Sequence, residues 1–325
     1  MEPFYRKIFG QSWQVIKQNF HLLFFGLFAS LLGFNEIKMV FDFQGANPDF
    51  LGSWIITWWN SIQKLASQGQ FINWSMTDSY ITLIGLFIIY AVILILSISS
   101  QGALIHSAAK HLKNGRNKAN SSLAVSLEKF WPLLGINLIN TVIGYFFIIF
   151  VISPMINLIA INSGLMFYFL LSLIIFFLLI PLMVMISFAT RFGMGYIVIY
   201  NQTLWQAFNN GWELFRANWV ITIESAITII LFSIIYIVIG FASIAFIFSP
   251  FIVLALLMHI SPMVFYLLII IGSFAAIAVF LLVTSFYGAF YNLLWANIFL
   301  RLNGKGPSHS KVHRLAHKHL PALTR

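Results

Sequence analysis

The sequence contains very little charge. Asp, Glu, Lys and Arg make up 8% of its 325 residues, whereas 60% of the residues are hydrophobic. Soluble domains carry charge on about a quarter of their residues, so this composition excludes an ordinary soluble protein. It is typical of an all-α membrane protein that crosses the bilayer several times.

Cysteine is absent, which excludes disulfides, thiolate metal sites and a cysteine nucleophile. Phosphate-binding loops and the motifs His-Glu-x-x-His and Gly-x-Ser-x-Gly are missing as well. We therefore predict that the protein is not an enzyme and has no catalytic residue, cofactor or metal site. The net charge of +10 is not gathered in a basic soluble domain, so nucleic acid is not an expected partner.

Six hydrophobic stretches are long enough to cross about 30 Å of hydrocarbon as helices. They lie at 20–40, 80–104, 131–152, 165–190, 219–248 and 263–299. A single-pass segment in lipid must satisfy its own backbone hydrogen bonds, which requires an α-helix. We predict six transmembrane helices in a single membrane domain, 1–304, followed by a basic cytoplasmic tail, 305–325.

The basic residues predict the orientation of these helices. Of the 18 Lys and Arg residues, only Lys38 and Lys64 fall in segments that follow the first, third and fifth stretches, and the other 16 lie on the opposite side. This asymmetry predicts a protein of the inner (cytoplasmic) membrane with both termini in the cytoplasm. The long outer connection, 41–79, is expected to carry a surface helix anchored by Trp54 and Trp58.

An amphipathic pattern recurs along the chain. Apolar residues at helical spacing lead into the first stretch: Tyr5, Phe9, Trp13, Ile16 and Phe20. A second set with the same spacing leads into the fifth stretch at a constant offset of 199: Leu204, Phe208, Trp212, Phe215 and Trp219. A weaker copy with Ala124, Leu127 and Trp131 precedes the third stretch. Each copy predicts a helix on the cytoplasmic membrane surface, with Trp13, Trp212 and Trp219 as anchors.

The copies predict three hairpin units, at about 4–115, 116–200 and 201–304. At equivalent points near the cytoplasmic ends of the even-numbered helices stand Gly102, Gly193 and Gly288, where a missing side chain lets helices approach closely. Ser153-Pro154 and Ser249-Pro250 also correspond. The apolar segments after them, 155–164 and 251–262, are predicted to be short turns packed against the bundle.

A few polar residues in the predicted spans form a candidate intramembrane site. Glu224 lies about 7.5 Å into the fifth helix, and it is either a functional group or a structural partner of Arg191 or Arg216. On the third helix, Asn137 and Asn140 belong to a polar stripe. That stripe either lines a solute path or joins helices by hydrogen bonds, and structural roles are the more common outcome for such residues.

The segment before the fifth helix reads Gln206-Ala207-Phe208-Asn209-Asn210-Gly211-Trp212-Glu213-Leu214-Phe215-Arg216-Ala217-Asn218-Trp219. It resembles the linker and pre-helix of a bacterial family of six-helix membrane proteins of unknown function. That family is similar to the membrane domain of some glycerophosphodiester phosphodiesterases, in which a Lys/Arg-x-Asn-aromatic exit leads into the next span. Here Asn209-Asn210-Gly211 replaces the usual basic and Ser positions. Because the phosphodiesterase barrel is missing, the resemblance implies a six-helix fold and lends no catalytic residue.

These patterns predict a non-catalytic scaffold or accessory subunit in membrane or envelope organisation. The alternative is a permease for a lipid or another small amphipathic solute. Membrane lipids are expected partners under both hypotheses, and other membrane proteins under the first. The sequence leaves the oligomeric state open.

Overall fold

The computed structural model describes residues 4–31, 76–112, 119–147, 166–257 and 262–304. Within these ranges every regular element is an α-helix, as the sequence predicts. The helices in chain order are α1 Phe4–Gln18, α2 Leu22–Leu31, α3 Met76–Leu112, α4 Ala119–Glu128, α5 Phe130–Phe147, α6 Met166–Tyr200, α7 Leu204–Ala217, α8 Trp219–Leu257 and α9 Pro262–Gly304.

Four of the described helices are long and apolar enough to cross a membrane. Their apolar windows are Ile84–His111 of α3, Leu173–Tyr200 of α6, Trp219–Leu254 of α8 and Leu267–Gly304 of α9. These candidate spans overlap four of the six predicted stretches. The remaining stretches, 20–40 and 131–152, are described only where they overlap α2 and α5, so the number six stays a prediction.

Two prolines lie inside long helices. Pro181 lies within α6, and Pro250 lies within α8, which continues to Leu257. The prediction that 251–262 forms a short turn is therefore wrong for residues 251–257. A proline removes one backbone hydrogen bond, but the rest of the ladder persists because lipid offers the backbone no competing partner. The predictions for Trp54 and Trp58, for 155–164 and for 305–325 fall outside the described residues.

The chain divides into two compact units. The larger unit consists of Met1–Leu31, Ser97–Leu138 and Met185–Arg325, and the smaller unit consists of Leu32–Leu96 and Ile139–Val184. The larger unit holds most of the buried side chains, which include the completely enclosed Phe192, Leu104, Leu133, Leu293 and Phe299. In the smaller unit most of the described large apolar side chains are exposed, among them Phe87, Ile174 and Phe177.

Helices α8 and α9 pack along each other within the larger unit, and α1 packs against α9. The ring of Phe9 on α1 contacts both partners of this pair, at 5.9 Å from the ring of Phe232 and 5.7 Å from the ring of Phe290. Both contacts are edge-to-face, the arrangement that aromatic quadrupoles favour. The N-terminal helix is therefore held by the helix hairpin at the other end of the described chain.

Three short helices lead into the next helix through a similar break, which we call an elbow. The first elbow joins α1 to α2 at Asn19, the second joins α4 to α5 at Lys129, and the third joins α7 to α8 at Asn218. At each elbow the backbone N–H of the break residue donates to the carbonyl three residues earlier, at 3.0 to 3.2 Å. This tighter hydrogen bond closes the last turn of the short helix.

The first and third elbows share a further detail. The side-chain amide of Asn19 donates to Val15 O at 3.0 Å, and that of Asn218 donates to Leu214 O at 3.2 Å. Asparagine side chains that bond nearby backbone compete with the helical ladder, so they favour helix ends. The two asparagines are 199 residues apart, which is the offset that relates the amphipathic patterns.

A small buried residue lies seven positions before each elbow: Ser12, Ser122 and Gly211. Asn297 Nδ2 of α9 donates to Ser12 Oγ at 2.8 Å. His106 Nδ1 of α3 lies 3.1 Å from Ser122 Oγ. A Cβ placed on Gly211 would overlap the carbonyl oxygen of Ala189 on α6. Each short helix therefore packs closely against one long helix, an approach that only small residues permit.

The buried face of the short helices coincides only in part with the apolar stripe that the sequence indicates, since the two share Ile16 and Phe215. The buried residues are Ile8, Ser12, Val15 and Ile16 in α1 and, at the same offset of 199, Ala207, Gly211, Leu214 and Phe215 in α7. The bulky residues Trp13 and Trp131 are mostly exposed. Hydropathy gives weight to large aromatic rings, whereas close helix packing selects small side chains, so the two faces are rotated apart.

Gly102, Gly193 and Gly288 lie at close helix contacts, as predicted. A Cβ on Gly288 would overlap the backbone oxygen of Gly26 in α2, and a Cβ on Gly102 would overlap Ser126 Oγ in α4. A Cβ on Gly193 would lie 3.1 Å from the carbonyl oxygen of Ala207. Any larger side chain would therefore push these helices apart.

Candidate functional site

A ladder of aromatic rings joins α8 to α9 within candidate membrane spans. Tyr236 of α8 stacks on Tyr287 of α9, with ring centroids 4.1 Å apart and planes 18° from parallel. Tyr287 stacks in turn on Tyr291, one turn further along α9, at 5.7 Å. Residues four apart lie on the same face of a helix, which is why the two tyrosines of α9 form consecutive rungs.

Arg191 of α6 extends the ladder by one cation. Its Cζ lies 5.1 Å from the centroid of the Tyr291 ring. A guanidinium over a tyrosine face is attracted by the ring quadrupole, by about 2 kcal/mol where water is excluded. A half-buried arginine in a candidate span is a functional hypothesis by default, because leaving such a charge in hydrocarbon is costly.

Two phenol groups of the ladder, those of Tyr287 and Tyr236, have hydrogen-bond partners. Tyr287 OH lies 2.8 Å from Ser233 Oγ, and Tyr236 OH donates to Thr284 Oγ1 at 3.4 Å. Hydrogen-bonded phenols in an apolar environment avoid the cost of unsatisfied polar groups. The ladder therefore presents one guanidinium and three phenols, a group set that fits an anionic or zwitterionic head group. No group of three His, Cys, Asp or Glu side chains that could hold a metal ion occurs within the described ranges.

Glu224 is half-buried on α8, and Thr228 Oγ1 donates to its backbone oxygen at 2.9 Å. Arg216 is exposed on α7, in the last turn before the third elbow. The pairing of Glu224 with Arg191 or Arg216 stays a prediction.

The two asparagines of the predicted polar stripe fall in different compact units, Asn137 in the larger and Asn140 in the smaller. Asn137 Nδ2 donates to Leu133 O of its own helix at 2.9 Å and lies 4.0 Å from Met194 Sδ of α6. Both contacts hold the amide within the helix packing. They favour the interpretation of Asn137 as a residue that joins helices.

The predicted tryptophan anchors have different environments. Trp13 and Trp219 are exposed, whereas Trp212 is half-buried with its ring 6.2 Å from that of Phe215. Trp13 also contacts Phe286 of α9 edge-to-face at 5.6 Å. Exposed rings at the ends of apolar helices suit a membrane interface.

Sequence reasoning missed the tyrosine ladder. One signal was available, because Tyr287 and Tyr291 are four residues apart and Ser233 and Tyr236 are three apart, so each pair shares a helix face. The sequence did not indicate that these two faces meet, or that Arg191 lies over the end of the row. Those contacts depend on how α6, α8 and α9 pack together, which no local pattern encodes.

The fold and this site define a class: a helical protein with several helices that are long and apolar enough to span a membrane. The chain matches no protein-family model, no curated protein and no solved structure.

Proposed function

We propose that this chain is a six-span protein of the inner membrane, built from three hairpin units with both termini in the cytoplasm, that acts as a non-catalytic scaffold or accessory subunit. The observation that supports a scaffold is the exposed apolar surface of the α8–α9 hairpin. Phe241, Phe246 and Phe274 are among its most exposed large side chains. Helices associate in lipid through van der Waals packing, and these exposed rings offer a large area for it.

Photo-crosslinking in native membranes tests the scaffold role. A photoreactive phenylalanine analogue at Phe246 or Phe274 should give a discrete protein adduct, because these rings face outward. The control position is Phe290, which is buried on α9 and should give no intermolecular adduct. Adducts with lipid alone at both exposed positions would contradict the scaffold proposal.

Reporter fusions test the proposed orientation. The basic residues are divided 16 to two between the two faces, which predicts that residue Arg325 lies in the cytoplasm. A reporter that works only in the cytoplasm should therefore be active when it is fused after Arg325. A reporter inserted in the connection 41–79 should behave in the opposite way. Periplasmic activity of the Arg325 fusion would overturn the topology.

The second candidate function is a permease for a lipid or small amphipathic solute. The ladder favours it, because Arg191 and the phenols of Tyr291, Tyr287 and Tyr236 form a continuous polar row along otherwise apolar helices. Glu224→Gln keeps the shape of the side chain and removes its charge, so it separates the two functions. Under the scaffold proposal the variant should complement a deletion strain wherever it accumulates. A stable Glu224→Gln protein that fails to complement would favour the permease.

A further inference from the structure

The first and third elbows present the same pair of exposed groups. Lys17 and Arg216 each lie two residues before the break and are exposed. One residue after the break, Phe20 is 69% exposed and Trp219 is 56% exposed. In both elbows the asparagine side chain donates to the carbonyl four residues earlier and closes the short helix. Each of the two elbows therefore combines an exposed cation with an exposed aromatic ring.

An exposed apolar ridge continues from each of these rings along the following helix. Phe24 is exposed one turn beyond Phe20 on α2. On α8, Ile223 and Ile227 are exposed one and two turns beyond Trp219. Residues four apart lie above one another on a helix, so the ridge on α8 runs parallel to its axis, whereas Phe20 precedes the first turn of α2 that carries Phe24. A cation at the top of an apolar ridge matches a lipid, with its charged head and its acyl chain.

The second elbow differs because its cation, Lys129, is largely buried and has protein partners. The side chain of Lys129 is only 17% exposed, and its Nζ lies 3.8 Å from Glu128 Oε1. The same Nζ donates to Asn201 Oδ1. These protein partners already satisfy the ammonium group, so little of its charge is left for a ligand. Lys129 therefore serves as an internal control for Lys17 and Arg216.

We propose that the first and third elbows each bind the head group of an anionic phospholipid, with Lys17 and Arg216 as the phosphate contacts, and that the second elbow does not. This inference rests on the cytoplasmic placement of the elbows in the proposed function. Interfacial aromatic rings and cations that extend to the head groups are the features that hold a protein at an anionic leaflet. A free anion has no acyl chain and would not contact the apolar ridges.

The test measures lipid binding to the purified full-length protein in a neutral detergent. Phosphatidylglycerol and phosphatidylcholine of equal chain length are added in turn, and bound lipids are counted by native mass spectrometry. We expect two phosphatidylglycerol molecules to bind more tightly than any phosphatidylcholine. Lys17→Gln and Arg216→Gln should each weaken one of the two sites about fivefold, since a basic residue at an anionic surface contributes roughly that factor.

Matched variants control the experiment. Lys129→Gln removes a cation from the second elbow and should leave both sites unchanged. Lys7→Gln removes an exposed cation from α1 that lies more than two turns away from the elbow, and it should also have no effect. Lys17→Arg should retain lipid binding at the first elbow, because it keeps the positive charge. Elution volume on size exclusion confirms that each variant is folded.

Several results would overturn the proposal. The first is equal binding of phosphatidylglycerol and phosphatidylcholine. The second is unchanged lipid binding by the Lys17→Gln/Arg216→Gln double variant. The third is a loss of binding with Lys129→Gln as large as the loss with Lys17→Gln. Competition by inorganic phosphate as effective as that by phosphatidylglycerol would indicate a free-anion site instead. None of these results depends on photo-crosslinking at Phe246 or Phe274, so failure of the lipid sites and failure of the scaffold are distinguishable.

Discussion

The two halves of α9 belong to one candidate span, Leu267–Gly304, yet their surroundings differ. In the first half most of the large side chains are exposed, including Ile270, Phe274 and Leu282. In the second half nearly every residue from Thr284 to Leu302 is buried or half-buried. The first half therefore presents a surface that suits lipid, whereas the second half lies within the protein.

The chemical difference between the halves lies in their polar and small residues. The buried half contains Gly288, Asn292 and Asn297. Gly288 lies against α2, Asn292 donates to a carbonyl of its own helix, and Asn297 donates to Ser12 of α1. Lipid tails are as apolar as leucine, so the hydrophobic effect gives membrane helices no reason to associate. Close packing and hydrogen bonds have to stabilise the association, and they require these residues. The same change occurs along α3, where exposed residues up to Ile95 give way to the buried segment Ser97–Leu104.

The largest expected effect contrasts two phenylalanines of α9. Phe299 is 1% exposed and its ring lies against Tyr196 of α6 at 5.0 Å, whereas Phe274 is 69% exposed. Phe299→Ala should lower the free energy of unfolding by about 3–5 kcal/mol because it leaves a cavity. Phe274→Ala should change it by less than about 0.5 kcal/mol. Reversible unfolding in mixed micelles measures both, and equal losses would contradict the comparison.

A smaller effect is expected from adding one methyl group. Gly288→Ala places a Cβ against the backbone of Gly26 and should destabilise the fold by about 1–3 kcal/mol. The control is Gly240→Ala on α8, where the new Cβ would lie 3.7 Å from Val283 Cγ1, an ordinary contact. Its better helix propensity should leave stability unchanged or raise it by up to about 1 kcal/mol.

Thermal unfolding in detergent measures both alanine variants. A Gly288→Ala protein as stable as Gly240→Ala would show that the contact between α2 and α9 tolerates expansion. That result would contradict the interpretation of the second half of α9 as closely packed.

The smallest effect concerns the hydrogen bond between Asn297 and Ser12. Ser12→Ala should cost about 1 kcal/mol, because a buried amide loses its acceptor. The double variant with Asn297→Leu should recover part of this loss, with a coupling energy of about 0.5–1.5 kcal/mol. Ser243→Ala is the control, since Ser243 is half-buried on α8 and donates to Ile239 O of its own helix at 2.7 Å. Additive effects in the double-mutant cycle would show that this bond does not hold α1 to α9.

The sequence by itself determined the helical class, the four long apolar helices and the recurring entry into α2 and α8. Each of these follows from local chemistry. Hydrocarbon requires a helical backbone, and the spacing of Lys17, Asn19 and Phe20 is repeated in Arg216, Asn218 and Trp219. The close approach at Gly288 was also predictable, because Gly102, Gly193 and Gly288 stand at equivalent points of the predicted hairpin units.

Only the tertiary structure decided which faces are buried and which polar groups meet. Ser12 and Asn297 are 285 residues apart, and Arg191 and Tyr291 are 100 apart, so no local pattern links either pair. The large rings of Trp13 and Trp131 stay exposed, because their apolar surface is equally stable against lipid or against protein. In a membrane, steric fit and hydrogen bonding choose between those two surroundings, and both depend on the complete packing of the helices.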